Sequence, residues 1–238
     1  KFSALLLDIE GTITSISFVK DTLFPYAYNA VESFVREHFE DELMTEIIAD
    51  IRDVSERESK VDSNIRTVRS SKDGCIADVS HNVRHWIGID KKVTAMKKLQ
   101  GLIWNEAYTK GEVKGHIYPD VLPVLQSLSV PVYIYSSGSV LAQKLLFGNS
   151  VVGDVMKHLS GYFDTNVGLK GESKSYEKIC KEIGVNPSDV LFLTDIEAEA
   201  RAARAAGVQV VLVVRDGNSP LSVEATQDFR VIHSLEEI

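Results

Sequence analysis

Apolar residues along this chain follow three spacings, and each predicts a different kind of element. Residues 2–7, apolar except for Ser3, form a short continuous run that fits a strand buried on both faces, and Gly11 soon after it lets the backbone turn sharply. After Pro25 the spacing becomes helical. Val31, Phe34, Val35 and Phe39 form one stripe, and Leu43, Met44, Ile47, Ile48, Ile51 and Val54 a second. Ile76, Val79, Val83, Trp86 and Ile87 make a third, and Val93, Met96, Leu99, Ile103 and Ala107 a fourth, with no strand pattern between them. Four amphipathic stripes in succession predict a bundle of short helices, because each needs the others to cover its apolar face. Residues 57–73, between the second and third stripes, are polar and aperiodic and predict a mobile connection without chemistry of its own.

From Tyr118 onward the pattern alternates. Residues 130–135, 189–194 and 208–214 are β-branched or apolar runs of strand length separated by helical segments, the signature of right-handed crossovers in a parallel sheet. Gly184 and Gly207 fall where helices ending at Ile183 and Ala206 want a left-handed residue. The predicted fold class is α/β, a Rossmann-like parallel sheet built from residues 1–16 and 116–238, with a helical insert over 17–115.

Composition removes whole classes of answer. A chain of 238 residues with 44% hydrophobic and 25% charged residues has the make-up of a folded domain with a sizeable core. Its formal net charge of −8 argues against nucleic acid or an anionic membrane as a partner, since those need clustered Lys and Arg. Cys75 and Cys180, far apart and in helical contexts, suggest neither a disulfide framework nor a zinc site, which favours an intracellular, reducing compartment. No run approaches the ~20 apolar residues of a membrane span, and no charged-then-apolar segment opens the chain, so a soluble, unexported protein is expected. The chain opens on Lys1 rather than Met, with the first strand almost at once, as in a chain either trimmed or cut from a longer polypeptide.

The chemistry gathers where apolar runs end. Asp8 and Glu10 stand where the first run meets Gly11, and in an open parallel sheet ligands bind outside the carboxyl ends of the strands. A carboxylate there attacks phosphorus to form an aspartyl-phosphate, and a second acid two residues on moves protons for the leaving and entering oxygens; an acidic turn after an ordinary strand has the same pattern. Ser136-Ser137-Gly138-Ser139 follows a strand and opens the helical run 140–147, where hydroxyls and free N–H groups suit phosphate oxygens, although a plain serine cap looks alike. Asp195 ends the run 189–194 and faces Asp8 across the crevice; two such acids, a backbone oxygen and waters make the octahedral oxygen set that Mg²⁺ prefers. Glu199, four residues on, either orients ligands from behind or is an acid favoured in a helix's first turn. His81 and His85 are four apart on a predicted helix without a nearby partner acid, and are read as structural.

Asp8-Ile9-Glu10-Gly11-Thr12 resembles the Asp-x-Asp-Gly-Thr motif of the haloacid dehalogenase superfamily of phosphatases, with Glu10 in place of the second aspartate. Together with Ser17-Phe18-Val19-Lys20, Leu23-Phe24-Pro25-Tyr26, Tyr133-Ile134-Tyr135-Ser136-Ser137-Gly138-Ser139, Ala142-Gln143-Lys144-Leu145-Leu146-Phe147-Gly148, Gly161-Tyr162-Phe163-Asp164-Thr165 and Leu191-Phe192-Leu193-Thr194-Asp195, the chain resembles the enolase-phosphatase (acireductone synthase) family of methionine salvage nearly end to end. The resemblance implies a core of the haloacid dehalogenase type, with the helical insert as a cap that closes over substrate and excludes water.

By the same resemblance, Asp8 is the nucleophile and Glu10 the proton shuttle. One Mg²⁺ is held by Asp8, Glu10 (through side chain or carbonyl) and Asp195, while Ser136, Ser137 and a lysine hold the phosphate. Lys170 matches the family's lysine by position; Lys174, nearer a helix starting around Ser173, competes with it, and either also reads as a solvated surface lysine. The implied substrate is a small phosphorylated metabolite, 5-methylthio-2,3-dioxopentyl phosphate, enolised and dephosphorylated to acireductone by a monomeric protein of the cytoplasm and also the nucleus. Phe18, Lys20, Phe24 and Tyr26 lead from the first strand into the insert, where an apolar methylthio tail would pack. A phosphatase for another small phosphate ester, and a non-catalytic scaffold that binds phosphorylated ligands, are the alternatives; reactive side chains at every motif position argue against the second.

Overall fold

Four strands form where β-branched, aliphatic and aromatic side chains run together, β1 (Ala4–Leu7), β2 (Val132–Tyr135), β4 (Val190–Thr194) and β5 (Gln209–Val213), and β3 (Gly161–Phe163) and β6 (Arg230–Ile232) complete the set in a computed structural model that describes residues 1–238. They make one parallel sheet in the order β3-β2-β1-β4-β5-β6. Successive side chains of a strand point to opposite faces. Leu5 and Leu7 therefore join the core on one face with Ile134 and Leu193, and Ala4 and Leu6 join the other with Tyr135, Tyr176 and Phe192. The register sets Leu7 beside Ile134 on one flank and Leu193 on the other, so the carboxyl ends of β1, β2 and β4 stand at one level. The chain runs from β1 outward through β2 to β3, then returns to lay β4, β5 and β6 on the other flank; that reversal is the switch point where α/β sheets hold ligands.

β3 and β6 lie beyond the strands read from the sequence. Each is three residues long and sits at an edge, where one neighbour suffices and little apolar pattern is needed.

The helices are α1 (Ile16–Phe18), a single turn, α2 (Phe24–Glu37), α3 (Glu42–Glu58), α4 (Lys72–Gly88), α5 (Thr94–Thr109), α6 (Val121–Ser127), α7 (Val140–Gly148), α8 (Ser173–Ile183), α9 (Glu197–Ala205) and α10 (Val223–Asp228). None is long and apolar enough to cross a membrane. Gly184 caps α8 in the left-handed conformation, φ 72°, as the sequence predicts. The chain gathers into two compact units, residues 1–19 with 114–238 and residues 20–113. The sequence places these limits at 16 and 116. The difference comes from local bonding: Ser15 Oγ accepts the Phe18 N–H at 3.1 Å, and His116 Nδ1 accepts the Ser15 N–H at 3.0 Å, which ties both linkers to the sheet-bearing unit.

In the helical unit α2 packs on α4 and α5, and α3 on the same two helices. Met44, Ile47, Ile51, Ile76, Val79, Val83, Trp86, Leu99 and Ile103 are buried along the predicted stripes. Leu43 is not: it begins α3 on the outside and is 51% exposed. Residues 57–73 also depart from the sequence reading, because the segment is bonded to α4 rather than loose. Ile65 is buried, Asn82 Oδ1 accepts the Arg66 N–H at 2.8 Å, and the buried Asp78 carboxylate takes both the backbone N–H and the guanidinium of Arg69. His81 Nε2 meets the Asn64 carbonyl at 2.8 Å, and His85 Nε2 lies 2.9 Å from Asp62, so His85 does have a partner acid, supplied by the segment read as a mere connection. Polar residues made this stretch look solvated, but their partners are on the helix.

Candidate active site

Asp8 follows β1 directly and is buried at the level where β2 and β4 also end. Its Oδ1 accepts the Ile9 N–H at 2.8 Å and the Lys170 ammonium at 2.5 Å. The next three residues cannot continue the strand, because Ile9 O accepts the N–H groups of Thr12, Ile13 and Thr14 and closes a tight loop. Gly11 is required within it: its φ is +74°, and an added Cβ would stand 2.4 Å from Asp195 Oδ2. Arg215 fixes the same loop from beyond β5 by donating to the Thr12 carbonyl from Nε and Nη2 at 3.1 and 2.9 Å, while a bidentate pair with Asp120 at 2.8 Å and the Tyr118 ring hold the guanidinium itself. Burial works against the Asp120 carboxylate, but Arg215 and the Leu235 N–H hold it below the usual range. His116 is kept in its neutral form by burial and by the Arg215 charge, which suits an Nδ1 that accepts from Ser15.

Lys170 and Lys174 are separated by geometry. Lys174 is exposed on α8, whereas the Lys170 side chain is 9% exposed and lies between Asp8 and Glu199, 3.0 Å from the latter. Its loop is pinned by side chains that bond backbone carbonyls: Tyr135 to Gly168, Ser175 to Leu169 and Tyr176 to Lys170, at 2.6, 2.7 and 2.5 Å. Burial would strip the proton from this ammonium, but the charges of Asp8 and Glu199 outweigh it and raise its pKa. Glu199 is pushed up to about 7 by burial and by Asp8, against the pull of Lys170. Thr194, not singled out from the sequence, ends β4 between these acids: its hydroxyl lies 2.6 Å from Glu199 Oε2 and 3.3 Å from Asp8 Oδ2. One proton serves one acceptor, and the shorter bond to Glu199 takes it.

Asp195, the residue after β4, has the opposite surroundings. It is pushed up to about 8 by burial and then by the neighbouring Asp8 carboxylate, and its Oδ1 is buried without a partner. On the β2 side, Ser136 is buried and Ser137 half-buried, and Ser139 caps α7 by accepting the Ala142 N–H at 3.2 Å. Asp164 Oδ2 takes the Val140 N–H, and Gln143 Nε2 donates to the Gly138 and Phe163 carbonyls at 2.9 Å each, so the serine loop is rigid.

All six residues read from the sequence, Asp8, Glu10, Ser136, Ser137, Lys170 and Asp195, line one cleft of about 160 Å³, together with Glu199. That volume is below the ~300–1,000 Å³ of sites that enclose a whole small molecule, so the cleft fits a phosphate-sized group rather than a complete ligand. Four carboxyl groups and one ammonium line it. An anion would be repelled from such a set unless another cation joined it, and an all-oxygen set with an unpartnered buried carboxylate oxygen fits a hard divalent ion. A second group of possible ligands, Glu37, His38 and Glu106, lies in the helical unit. It is already an ion network: His38 bonds Asp41 and Glu106 through its two nitrogens, and Lys110 sits 2.6 Å from Glu106.

Residues 2–207 match the haloacid dehalogenase-like hydrolase family. Over its full length the chain is 59% identical to enolase-phosphatase E1 of Caenorhabditis briggsae, covering 97% of that protein, and 98% of it is 44% identical to enolase-phosphatase E1 of Danio rerio, covering 93%. The crystal structure of the UTR4 protein of Saccharomyces cerevisiae superposes with a TM-score of 0.83 at 33% identity, with both chains fully covered. A structure of CbbY from Rhodobacter sphaeroides in complex with phosphate shares the fold, at a TM-score of 0.59 and 15% identity.

Proposed function

The chain belongs to the enolase-phosphatase E1 family of haloacid dehalogenase-like hydrolases, and from that premise we propose that it dephosphorylates 5-methylthio-2,3-dioxopentyl phosphate, after enolisation, through an aspartyl-phosphate on Asp8 with Mg²⁺ as cofactor. The observation that carries the reading is the placement of Asp8 at the end of the central strand, oriented by the Ile9 N–H and the Lys170 ammonium and facing Asp195.

Asp8 attacks phosphorus in line while the ester oxygen leaves; the aspartyl-phosphate then yields to water, and Asp8 is restored. Lys170 meets the incoming phosphoryl charge from within the cleft, where a buried cation acts more strongly than in water. Ser136 and Ser137 hold phosphate oxygens on the β2 side. Glu10 is exposed at the mouth of the cleft, the place for an acid that gives a proton to the leaving oxygen and later takes one from water. Asp8, Asp195 and Glu10 would hold Mg²⁺, which when bound neutralises the phosphate charge that the acids would otherwise repel. Glu199 keeps Lys170 aimed at Asp8, and Thr194 keeps Glu199 in place. Recognition of the methylthio tail is assigned to the helical unit, and the protein is taken to act as a cytoplasmic and nuclear monomer.

The test is phosphate release from the diketo phosphate, followed together with the absorbance of the enolised product, with and without Mg²⁺. Joint appearance of both products only with the metal is expected. Release from generic phosphate esters alone, with no turnover of the diketo compound, would transfer the reading to a phosphatase of another small ester.

A further inference from the structure

Asp195 and Asn218, the two side chains that approach Gly11, each carry a buried oxygen without a hydrogen-bond donor, Oδ1 in both. They belong to different elements. Asp195 follows β4, and Asn218 closes the turn after β5, where its N–H bonds the Arg215 carbonyl at 3.1 Å. A Cβ placed on Gly11 would stand 2.4 Å from Asp195 Oδ2 and 3.0 Å from Asn218 Oδ1, so carboxylate and amide oxygen approach one point that only a glycine leaves open. The other end of the amide is engaged, with Asn218 Nδ2 donating to the Gly11 carbonyl at 2.9 Å. That bond fixes the amide's orientation, because exchanging its N and O would set two acceptors face to face.

An unpaired buried acceptor is costly, and nothing in the protein donates to either oxygen. Waters bound to a divalent cation are strong donors. We infer that Asn218 is a positioning residue for the metal end of the site: it clamps the turn that carries Glu10 through the Gly11 carbonyl, and its Oδ1 accepts a hydrogen bond from a water on the cation held by Asp195. The inference rests on the phosphatase reading for the presence of the metal, and adds a residue that touches neither substrate nor metal directly. Groups of this kind, bonded to ligands rather than to the ion, set metal affinity by about 10- to 100-fold.

The test is calorimetric titration of Mg²⁺ into the metal-free full chain, with melting of the metal-free forms measured alongside. Asn218→Ala should raise the Kd for Mg²⁺ about 10-fold, while Ser222→Ala, which removes one bond to Glu197 and the cap of α10 in the same segment, should leave it unchanged. Asn218→Ser suits the turn but is too short to reach both partners, and carries the same expectation should the alanine variant be too unstable to titrate. Wild-type affinity in the Asn218 variants, or equal loss in Ser222→Ala, would overturn the inference and leave the phosphatase reading standing. No Mg²⁺ binding by the wild type would overturn both.

Discussion

The two groups that meet Asp8 from either flank have opposite character. On one, Lys170 is surrounded by satisfied partners: its ammonium bonds Asp8 and Glu199, Thr194 bonds Glu199, and the loop that carries it is tied at consecutive carbonyls. On the other, Asp195 is an acid against an acid, with one oxygen unpartnered. A protein that completes one side and leaves the other repulsive has a side that an added cation completes.

Removing the acid common to both sides has the largest expected effect. Asp8→Asn keeps the shape but cannot act as the nucleophile, so kcat should fall on the order of 10⁴-fold or more with an unchanged circular dichroism spectrum. Turnover near that of the wild type would contradict the covalent route. On the completed side, Lys170→Met leaves Asp8 and Glu199 buried without their cation, and such a loss costs about 3–5 kcal/mol in denaturant unfolding of the metal-free protein. On the repulsive side the sign reverses. Asp195→Asn removes the acid that opposes Asp8 and should raise the melting temperature of the metal-free protein by a few degrees, about what 1 kcal/mol gives in a chain of this size, while abolishing further stabilisation by Mg²⁺. Equal destabilisation by both substitutions would show that the two sides do not differ as described.

The smallest effect is the pH dependence. Asp195 binds its proton more tightly folded than unfolded, with a pKa near 8 against an ordinary value of 3.8. The stability it supplies is complete below pH 4 and is lost as pH rises through about 8, because the folded state gives up its proton last. Melting of the metal-free wild type should therefore fall more between pH 5 and about 8 than that of Asp195→Asn, and saturating Mg²⁺ should remove the difference. Parallel curves for the two proteins would rule this out.

What the sequence made legible follows from where a residue's partners lie. Asp8, Ser136 and Asp195 stand directly after apolar runs, so the sheet alone placed them at one edge. Lys170 sits on a loop without periodicity, and only the family resemblance preferred it to Lys174; its burial between Asp8 and Glu199 then decided the matter. Thr194 adjoins Asp195, and a hydroxyl at a strand end beside an acid was the available signal. Asn218 carried none, because its partner Gly11 is 207 residues away. Residues 57–73 were misread for a related reason: composition shows that side chains are polar, not whether water or a helix satisfies them.

The most direct measurement is reductive trapping. During turnover with Mg²⁺, borohydride should reduce the acyl phosphate and convert Asp8 to homoserine, detected by mass spectrometry in the peptide containing residue 8 and missing when substrate is omitted or Asp8 is Asn. Full phosphate release with Asp8 unmodified, or with the modification on Glu10 or Asp195, would contradict the assignment of Asp8 as the group that carries the phosphoryl.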